Sequence, residues 1–204
     1  MKTPQVLQKT KWSIDQAHSE IGFKIKHLMI SHVNGTFKKF DASIYTTEKD
    51  FTTVEIDLWI DASSIETANE KRDEHLKSSD FFDVQNHKQL TFTSGTIGNP
   101  DHEGNHEMWG ELTMVGITKN VKMNLQFGGI VHDPWGNEKA GFTVTGKLSR
   151  SDWGLAWNTP LETAGFLISE EVVIQCEIEL TNLGIEDLTM KLDPVALMKM
   201  SAGK

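Results

Sequence analysis

The sequence contains a single cysteine and no long apolar run, and both scarcities limit what the protein can be. One cysteine, Cys176, excludes an internal disulfide, and its place in an alternating apolar stretch predicts a buried, unreactive thiol. No stretch reaches the ~18 apolar residues that a transmembrane helix needs. The N-terminal residues lack the apolar segment of ~7–15 residues typical of a secretory signal. We therefore expect a cytoplasmic location for the chain as given, without stable membrane insertion.

Positive charge is also in short supply. Lys and Arg number 20 against 29 Asp and Glu, which gives a net charge of -9 over 204 residues. Such a surface repels phosphate backbones and anionic lipid headgroups. Neither nucleic-acid binding nor peripheral membrane binding is therefore expected as the main function.

Linkers and two common catalytic motifs are missing as well. No Pro-, Gly- or Ser-rich stretch divides the chain, which favours one domain over residues 11–182 and a C-terminal extension over residues 183–204. Asp193 and Pro194 are suited to begin a short helix in that extension. The sequence has no G-x-S-x-G nucleophile motif and no G-x-G-x-x-G nucleotide motif. We predict a protein that is not an enzyme and has no cofactor.

Most of the chain alternates between apolar and polar residues with period two, as strands with one buried face do. The pattern predicts eight strands, marked by these apolar positions: Ile21, Phe23 and Ile25; Phe40, Ala42 and Ile44; Val54, Ile56, Leu58 and Ile60; Leu90 and Phe92; Met108, Gly110, Leu112 and Met114; Val121, Met123, Leu125 and Phe127; Ala140, Phe142, Val144, Gly146 and Leu148; Val172, Ile174, Cys176, Ile178 and Leu180. Turns are predicted at Asn34-Gly35 and at residues 133–137. Short antiparallel strands joined in this way form a barrel or a sandwich.

One helical segment, residues 69–83, interrupts the strands. Asn69 is suited to cap it, Leu76 to face inward, and Phe81 and Phe82 close it. We expect this connection to cover part of a barrel, with the two phenylalanines against the enclosed space. Eight strands leave an interior that is either filled by side chains or holds one elongated ligand. The residues alone leave both possibilities open.

Four segments, in the same order along the chain, carry a resemblance to a known family. They are Trp12 to Asp15 with His18-Ser19, Phe23, His27, Val33, Gly35, Phe37 and Phe40; Ile65, Thr67, Asn69, Arg72-Asp73, His75-Leu76, Ser78 and Asp80 to Asp83; Thr91-Phe92, Ser94, Gly110, Leu112, Gly116, Thr118 and Val121; and Gly141-Phe142 with Arg150 to Gly154. These segments resemble the YceI-like family of lipocalin-like proteins, and the resemblance covers about residues 11 to 181.

The resemblance implies an all-β fold, an extended eight-stranded antiparallel lipocalin-like barrel with a short helix in one connection and a C-terminal tail. It also implies a homodimer and a long apolar interior. The implied partner is a polyisoprenoid, an isoprenoid quinone or a fatty-acid derivative. On this basis we expect a protein that binds and carries or sequesters such a ligand.

Inward apolar positions are the candidate ligand contacts, because aromatic and methionine side chains provide wide and adaptable walls. The candidates are Phe23, Ile25, His27, Phe37, Phe40, Ile56, Leu58, Phe81, Phe82, Phe92, Leu112, Met114, Met123, Leu125, Phe142, Val144, Trp153 and Ile174.

Several polar residues have a plainer interpretation than catalysis or metal binding. His18, His27 and His32 match no strong zinc spacing, so structural hydrogen bonds or contact with a ligand headgroup are favoured over a metal site. For Arg72 and Asp73 we favour a network of ion pairs and caps. The polar residues from His102 to Glu107 indicate a solvated loop. Two other functions stay open: an enzyme that uses His27 on a lipid-like substrate, and a packed barrel that acts as an interaction module.

Overall fold

The computed structural model of the protein describes residues 7–161 and 166–188. These residues form eleven strands, one α-helix and two short 3₁₀-helices. The helix, α1, is Glu70–Lys77, and the 3₁₀-helices are Ala62–Ser64 and Arg150–Trp153. The strands are β1 (Leu7–Ile14), β2 (Glu20–His27), β3 (Ser31–Phe37), β4 (Phe40–Thr47), β5 (Asp50–Asp61), β6 (Ile65–Glu66), β7 (Gln89–Ile97), β8 (Asn105–Met114), β9 (Ile117–His132), β10 (Glu138–Ser149) and β11 (Ile168–Leu188).

Eight of these strands close into an antiparallel barrel in the order β1-β4-β5-β7-β8-β9-β10-β11, and β1 pairs with β11 to complete the ring. This confirms the predicted all-β barrel. The long strand β11 has two partners on one side. Its second half pairs with β1, where Leu180 lies opposite Ile14, and its first half pairs with β2, where Ile174 lies opposite Phe23. Strands β2, β3 and β6 therefore extend the barrel wall at one end.

All eight predicted alternations lie in strands, but β1, β3 and β6 were not predicted. The turn expected at Asn34-Gly35 is wrong, because both residues lie inside β3. Gly35 is needed there for packing, since a Cβ atom at this position would overlap the ring of Phe23 on the neighbouring strand. The second predicted turn is confirmed: residues 133–137 join β9 to β10, and Asp133 Oδ1 accepts from the Trp135 and Asn137 N–H groups.

The predicted helix is shorter than expected. Asn69 caps it, because its Oδ1 accepts a hydrogen bond from the Arg72 N–H at 3.0 Å. The helix ends at Lys77, however, and residues 78–83 form turns that still bring Phe81 and Phe82 against the core. The network at Arg72 and Asp73 consists of hydrogen bonds with Thr67: Arg72 donates to the Thr67 hydroxyl and carbonyl, and the Asp73 carboxylate accepts from the Thr67 N–H.

The predicted domain limits remain predictions, although β11 continues past residue 182 to Leu188, because β1 pairs with it along this length. The helix expected at Asp193 and Pro194 lies outside the described residues.

Two buried tryptophans fix different parts of the barrel. Trp12 and Trp153 are each 1% exposed. The Trp12 indole N–H donates to Thr46 Oγ1 at 3.0 Å, which joins β1 to β4, and the Trp153 N–H donates to the Leu112 carbonyl at 3.1 Å. Each indole therefore buries a large apolar surface without leaving its N–H unpaired.

A polar cluster fixes the turn between β1 and β2 to the barrel. Lys139 Nζ lies 2.6 Å from Asp15 Oδ2 and 3.1 Å from Glu179 Oε1, and His18 Nδ1 lies 3.1 Å from Asp15 Oδ2. The hydrogen bond from Lys139 is the main reason that the pKa of Asp15 falls from 3.8 to about 2. The contact with Asp15 agrees with the structural interpretation, which was one of the two roles favoured for His18.

Replacing Trp12 tests the closure of the barrel. Trp12→Ala should lower the free energy of unfolding by about 3–5 kcal/mol, because it leaves a cavity in the core and removes the hydrogen bond from the indole N–H to Thr46 Oγ1. Trp135 is 84% exposed and provides the matched control. Trp135→Ala should change the stability by no more than about 0.5 kcal/mol. Urea unfolding measures both variants, and equal losses would contradict the role of Trp12.

Asp15 should make stability depend on pH in acid. Its pKa is lower in the folded protein, so it stabilises the fold above pH 3.8 and loses this contribution as the pH falls towards about 2. Asp15→Asn should therefore flatten the decline of stability in this window, as measured by urea unfolding at several pH values. The control Asp152→Asn changes an exposed carboxylate and should keep the wild-type decline. The same decline in Asp15→Asn as in wild type would show that the lowered pKa is not a source of stability.

Candidate ligand-binding site

The barrel encloses a cavity of about 450 Å³. Its size lies within the range of ~300–1,000 Å³ typical of sites for small molecules. Inward side chains of all eight barrel strands, together with β2 and β3, form its walls, because alternate residues of each strand point to the same face.

Most of the predicted ligand contacts line this cavity. They are Phe23, Ile25, Phe37, Ile56, Leu58, Phe81, Phe82, Phe92, Leu112, Met114, Met123, Leu125, Phe142, Val144 and Ile174. The structure brings them together, and their contact with a ligand stays a prediction.

Three predicted contacts, Phe40, Trp153 and His27, do not line the cavity. Phe40 is 4% exposed and Trp153 is 1% exposed, and both pack within the core instead. His27 follows the alternation of Ile21, Phe23 and Ile25, but it is the last residue of β2 and lies beyond the cavity wall. Period two identified the inward face, but it could not tell core positions and strand ends from cavity positions.

The polar lining is concentrated at one end of the cavity, which we call the polar end and define as Thr67, Arg72, His75 and Arg150. These residues come from α1, from the segment before it and from the 3₁₀-helix after β10. The sequence interpretation favoured a structural role for Arg72, and it placed neither Arg72 nor Arg150 in the wall. The one feature of the sequence that pointed to polar residues in the cavity wall was the charged segment 69–83, which was expected to cover the barrel.

Arg72 is held in place by the residue that precedes the helix. Its Nε donates to Thr67 Oγ1 at 2.7 Å, and its Nη2 donates to the Thr67 carbonyl at 2.5 Å. Within the part of the chain that the structure describes, Nη1 makes no hydrogen bond. A fixed, half-buried guanidinium group with an available N–H is suited to bind an acceptor group of a ligand.

Arg150 is engaged in structural hydrogen bonds through two of its three guanidinium nitrogens. It is 5% exposed, its Nε donates to the Ser169 carbonyl at 3.0 Å, and its Nη1 donates to the carbonyls of Leu155 and Trp157. Burial lowers the pKa of Arg150 below its ordinary value. Arg150 therefore shapes the polar end by holding the chain at Trp157.

Trp157 connects this chain segment to the segment that follows α1. Its ring centroid lies 4.8 Å from that of His75 and 5.3 Å from that of Phe81. His75 Nε2 lies 2.9 Å from Asp80 Oδ2, which fixes the imidazole. These rings cover the polar end of the cavity, as the predicted covering role of residues 69–83 requires.

Aromatic rings occupy the opposite end of the cavity. Phe51 is the second residue of β5, and the other end of this strand leads towards α1. Its ring centroid lies 4.8 Å from Phe142, 4.9 Å from Trp12 and 5.5 Å from Phe127. The cavity therefore has one polar end and one apolar end.

Cys176 also lines the cavity, but its thiol is not activated. It is 7% exposed, and burial raises its pKa to about 11. A thiol with this pKa stays protonated near neutral pH and is a poor nucleophile. This agrees with the unreactive thiol expected from the sequence.

Two groups of residues have the composition of a metal site, but the structure gives both groups other contacts. Asp15, His18 and Glu179 converge, but the ammonium group of Lys139 already lies between the two carboxylates. Residues 102–106, HEGNH, match the H-E-x-x-H zinc motif, which the sequence interpretation of this stretch as a solvated loop overlooked. That motif requires a helix to bring its histidines to one face. Here it runs from a turn into β8, and His106 Nδ1 instead contacts the Gly98 carbonyl at 2.9 Å.

Among the described residues, no helix has both the length and the apolar character needed to cross a membrane.

Comparison with known sequences identifies the relatives of the chain. A model of the YceI-like domain matches residues 12–180. A UPF0312 protein of Staphylococcus epidermidis is 37% identical over 171 residues, which cover 83% of this chain and 96% of the relative. A UPF0312 protein of Staphylococcus aureus is 36% identical over the same length and coverage.

Solved structures give the same result. A YCEI protein of Campylobacter jejuni superimposes with a TM-score of 0.66 at 34% identity, covering 89% of this chain and 98% of that one. BcnA of Burkholderia cenocepacia gives a TM-score of 0.69 at 20% identity, covering 81% and 98%. A domain from Saccharophagus degradans, described as polyisoprenoid binding, gives a TM-score of 0.57 at 14% identity. This match covers 87% of this chain and 99% of that domain. The last two show the shared fold alone. The chain belongs to the YceI-like family.

Proposed function

We propose that the protein binds one long-chain amphiphile, a polyisoprenoid, an isoprenoid quinone or a fatty-acid derivative, and carries or sequesters it. The observation that carries this proposal is the asymmetry of the cavity. Its walls are apolar along the barrel, and its polar side chains are concentrated at the end covered by α1. An amphiphile has the same asymmetry, with an apolar tail and a polar head.

The apolar wall favours a hydrocarbon tail. Each methylene group that leaves water contributes about 0.8 kcal/mol, so a chain of several methylenes supplies a useful affinity without polar contacts. Aromatic rings and the flexible side chains of Met108, Met114 and Met123 line the wall and can adapt to a tail of irregular shape.

The polar end favours a head that accepts hydrogen bonds. Arg72 offers its Nη1 group, and His75 lies beside it in the same wall. A carboxylate, a phosphate or a quinone oxygen meets this requirement. The shared fold of the Saccharophagus degradans domain, described as polyisoprenoid binding, is in keeping with a long apolar tail.

Neither of the two alternative functions gains support from the site. Within the described residues, His27 has no carboxylate at ion-pair distance and lies outside the cavity, which weakens the hydrolase or isomerase hypothesis. The open interior of about 450 Å³ favours a binding protein over a barrel filled by its own side chains. Assembly as a homodimer and a cytoplasmic location stay predictions from the sequence.

Filling the cavity should displace the ligand. In Leu58→Trp the larger side chain enters the cavity. Asp57 is the neighbouring residue of β5 and points out of the barrel, so Asp57→Trp places the same ring on the outer surface. Native mass spectrometry of the purified proteins, followed by organic extraction, should find a bound lipid in wild type and in Asp57→Trp. The bound fraction should fall several-fold in Leu58→Trp. Apoprotein in all three preparations, or equal occupancy in both variants, would contradict binding in the barrel.

Removing the guanidinium group should weaken binding of the head. Titration with a fluorescent fatty acid measures this, and Arg72→Gln should reduce the affinity by about tenfold, the usual loss of a hydrogen bond to a charged group. The methyl ester of the same probe has no charge and should lose much less affinity than the acid when Arg72 is replaced. Lys71→Gln changes the neighbouring exposed cation and is the control. An equal loss for acid and ester would assign Arg72 to structure alone.

A further inference from the structure

We propose that the tip of the β2–β3 hairpin docks on the surface of an anionic lipid bilayer. We define the hairpin tip as Leu28, Met29 and Ile30. The proposal adds a partner to the binding function described above, and it depends on features of the outer surface instead of the cavity.

The hairpin tip exposes three consecutive apolar side chains. Leu28 is 38% exposed, Met29 is 45% exposed and Ile30 is 84% exposed. Phe166 is 56% exposed, and it directly precedes Leu167, whose carbonyl accepts a hydrogen bond from the Leu28 N–H. Single exposed apolar residues are common, but a contiguous group at the end of a hairpin is typical of a surface that meets an apolar partner.

The backbone of the hairpin tip is unsuited to these residues. The Ile30 N–H donates to the His27 carbonyl at 3.2 Å, which closes a four-residue turn. Both central residues have positive φ angles, 52° at Leu28 and 60° at Met29. Turns of this kind favour Asn and Gly, because large side chains are strained in the left-handed region. The fold alone therefore gives no reason for leucine and methionine here, and a function of their side chains does.

The charge of the hairpin is opposite to that of the chain. Residues 21–40 include Lys24, Lys26, Lys38 and Lys39 and no Asp or Glu, whereas the whole chain has a net charge of -9. Lys38 and Lys39 form ion pairs with Glu66 and Asp61, far from the tip. Lys24 and Lys26, on the strand that leads to the tip, form no ion pair with any described residue.

Two acidic side chains on β11, the strand that pairs with β2, already have partners. Glu171, on β11 beside β2, forms an ion pair with Lys147. The neighbouring Glu170 accepts hydrogen bonds from Ser149 and from the Ser151 N–H, and it lies 3.8 Å from Arg150. The surface near the tip therefore combines apolar side chains with uncompensated positive charge, which are the two components that attract a protein to an anionic bilayer.

The hairpin tip adjoins the wall of the cavity. The Leu28 N–H donates to the Leu167 carbonyl at 2.8 Å, and His27 lies opposite Ile168 in the sheet. Leu167 and Ile168 both line the cavity. A bilayer in contact with the tip would therefore lie next to this wall, and an apolar ligand could pass between bilayer and barrel with little exposure to water.

The negative charge of the remaining surface sets the orientation and strength of docking. It repels the anionic bilayer, so that only the hairpin side can approach. Association should therefore be reversible and should weaken as salt screens the lysines. This explains why a chain of net negative charge can still use a membrane as a partner.

Sedimentation with vesicles tests the proposal on the full chain. Vesicles made of equal parts of phosphatidylcholine and phosphatidylglycerol should bind the protein, and vesicles of phosphatidylcholine alone should bind it far less. The double variant Leu28→Asn with Met29→Gly should lower the bound fraction by about tenfold, because it removes two apolar side chains from the contact. The same variant supplies the residues that the turn favours, so its melting temperature should equal or exceed that of wild type.

Two further variants separate the contributions. Lys24→Gln with Lys26→Gln should remove most of the preference for phosphatidylglycerol and most of the sensitivity to salt. Trp135→Ser changes an apolar residue at the β9–β10 turn that is more exposed than Leu28 and Met29, and this variant should bind as wild type does.

Three results would overturn the proposal. One is the absence of binding to either kind of vesicle by wild type. Another is equal binding by wild type and by the hairpin-tip variant. The third is a change of native mass in that variant without vesicle binding by wild type, which would assign the tip to contact between copies of the chain. None of these results affects the comparison of Leu58→Trp with Asp57→Trp, so failure of docking is distinguishable from failure of ligand binding.

Discussion

The pairing of β1 with the second half of β11 is the constraint on which the rest of the structure depends. Without it the sheet would have two open edges, and its inward apolar face would be exposed to water. Closure places alternate residues of every strand around one interior. Trp12 supports this closure from β1, where its ring is buried and its N–H is bonded to Thr46 on β4. The cavity is therefore a consequence of how the ring of strands is completed.

The connections between the strands give the cavity its direction. One end lies near Phe51, where aromatic rings meet, and the other is covered by α1 and by Trp157. Arg72 lies in that cover because Thr67 binds two of its guanidinium nitrogens. The β2–β3 hairpin lies beside the wall of the cavity, because the Leu28 N–H donates to the carbonyl of Leu167 in that wall. The apolar part of the cavity is therefore followed by its polar end and then by the hairpin tip. This order suits an amphiphile that enters from a membrane.

Much of the fold could be predicted from the sequence, because period two directly reflects burial of one face of a strand. The alternation and the turn residues gave the wrong prediction where tertiary packing determines the backbone conformation. Gly35 indicated a turn, but it lies within a strand because the ring of Phe23 occupies the space of a side chain. The true turn at Leu28 and Met29 has no turn residues and could not be recognised. The alternation of apolar residues also predicted most of the cavity wall. Arg72 and Arg150 do not follow from this alternation, and only their tertiary contacts place them in the wall.

The central claim is that the cavity holds one long amphiphile with its head at the polar end. A crystal structure of the protein purified without organic solvent or added lipid tests it most directly. We expect continuous elongated electron density that begins beside Arg72 and His75 and extends between the apolar walls towards Phe142. A cavity that is empty, or closed by inward movement of its own side chains, in protein prepared in this way would contradict the account.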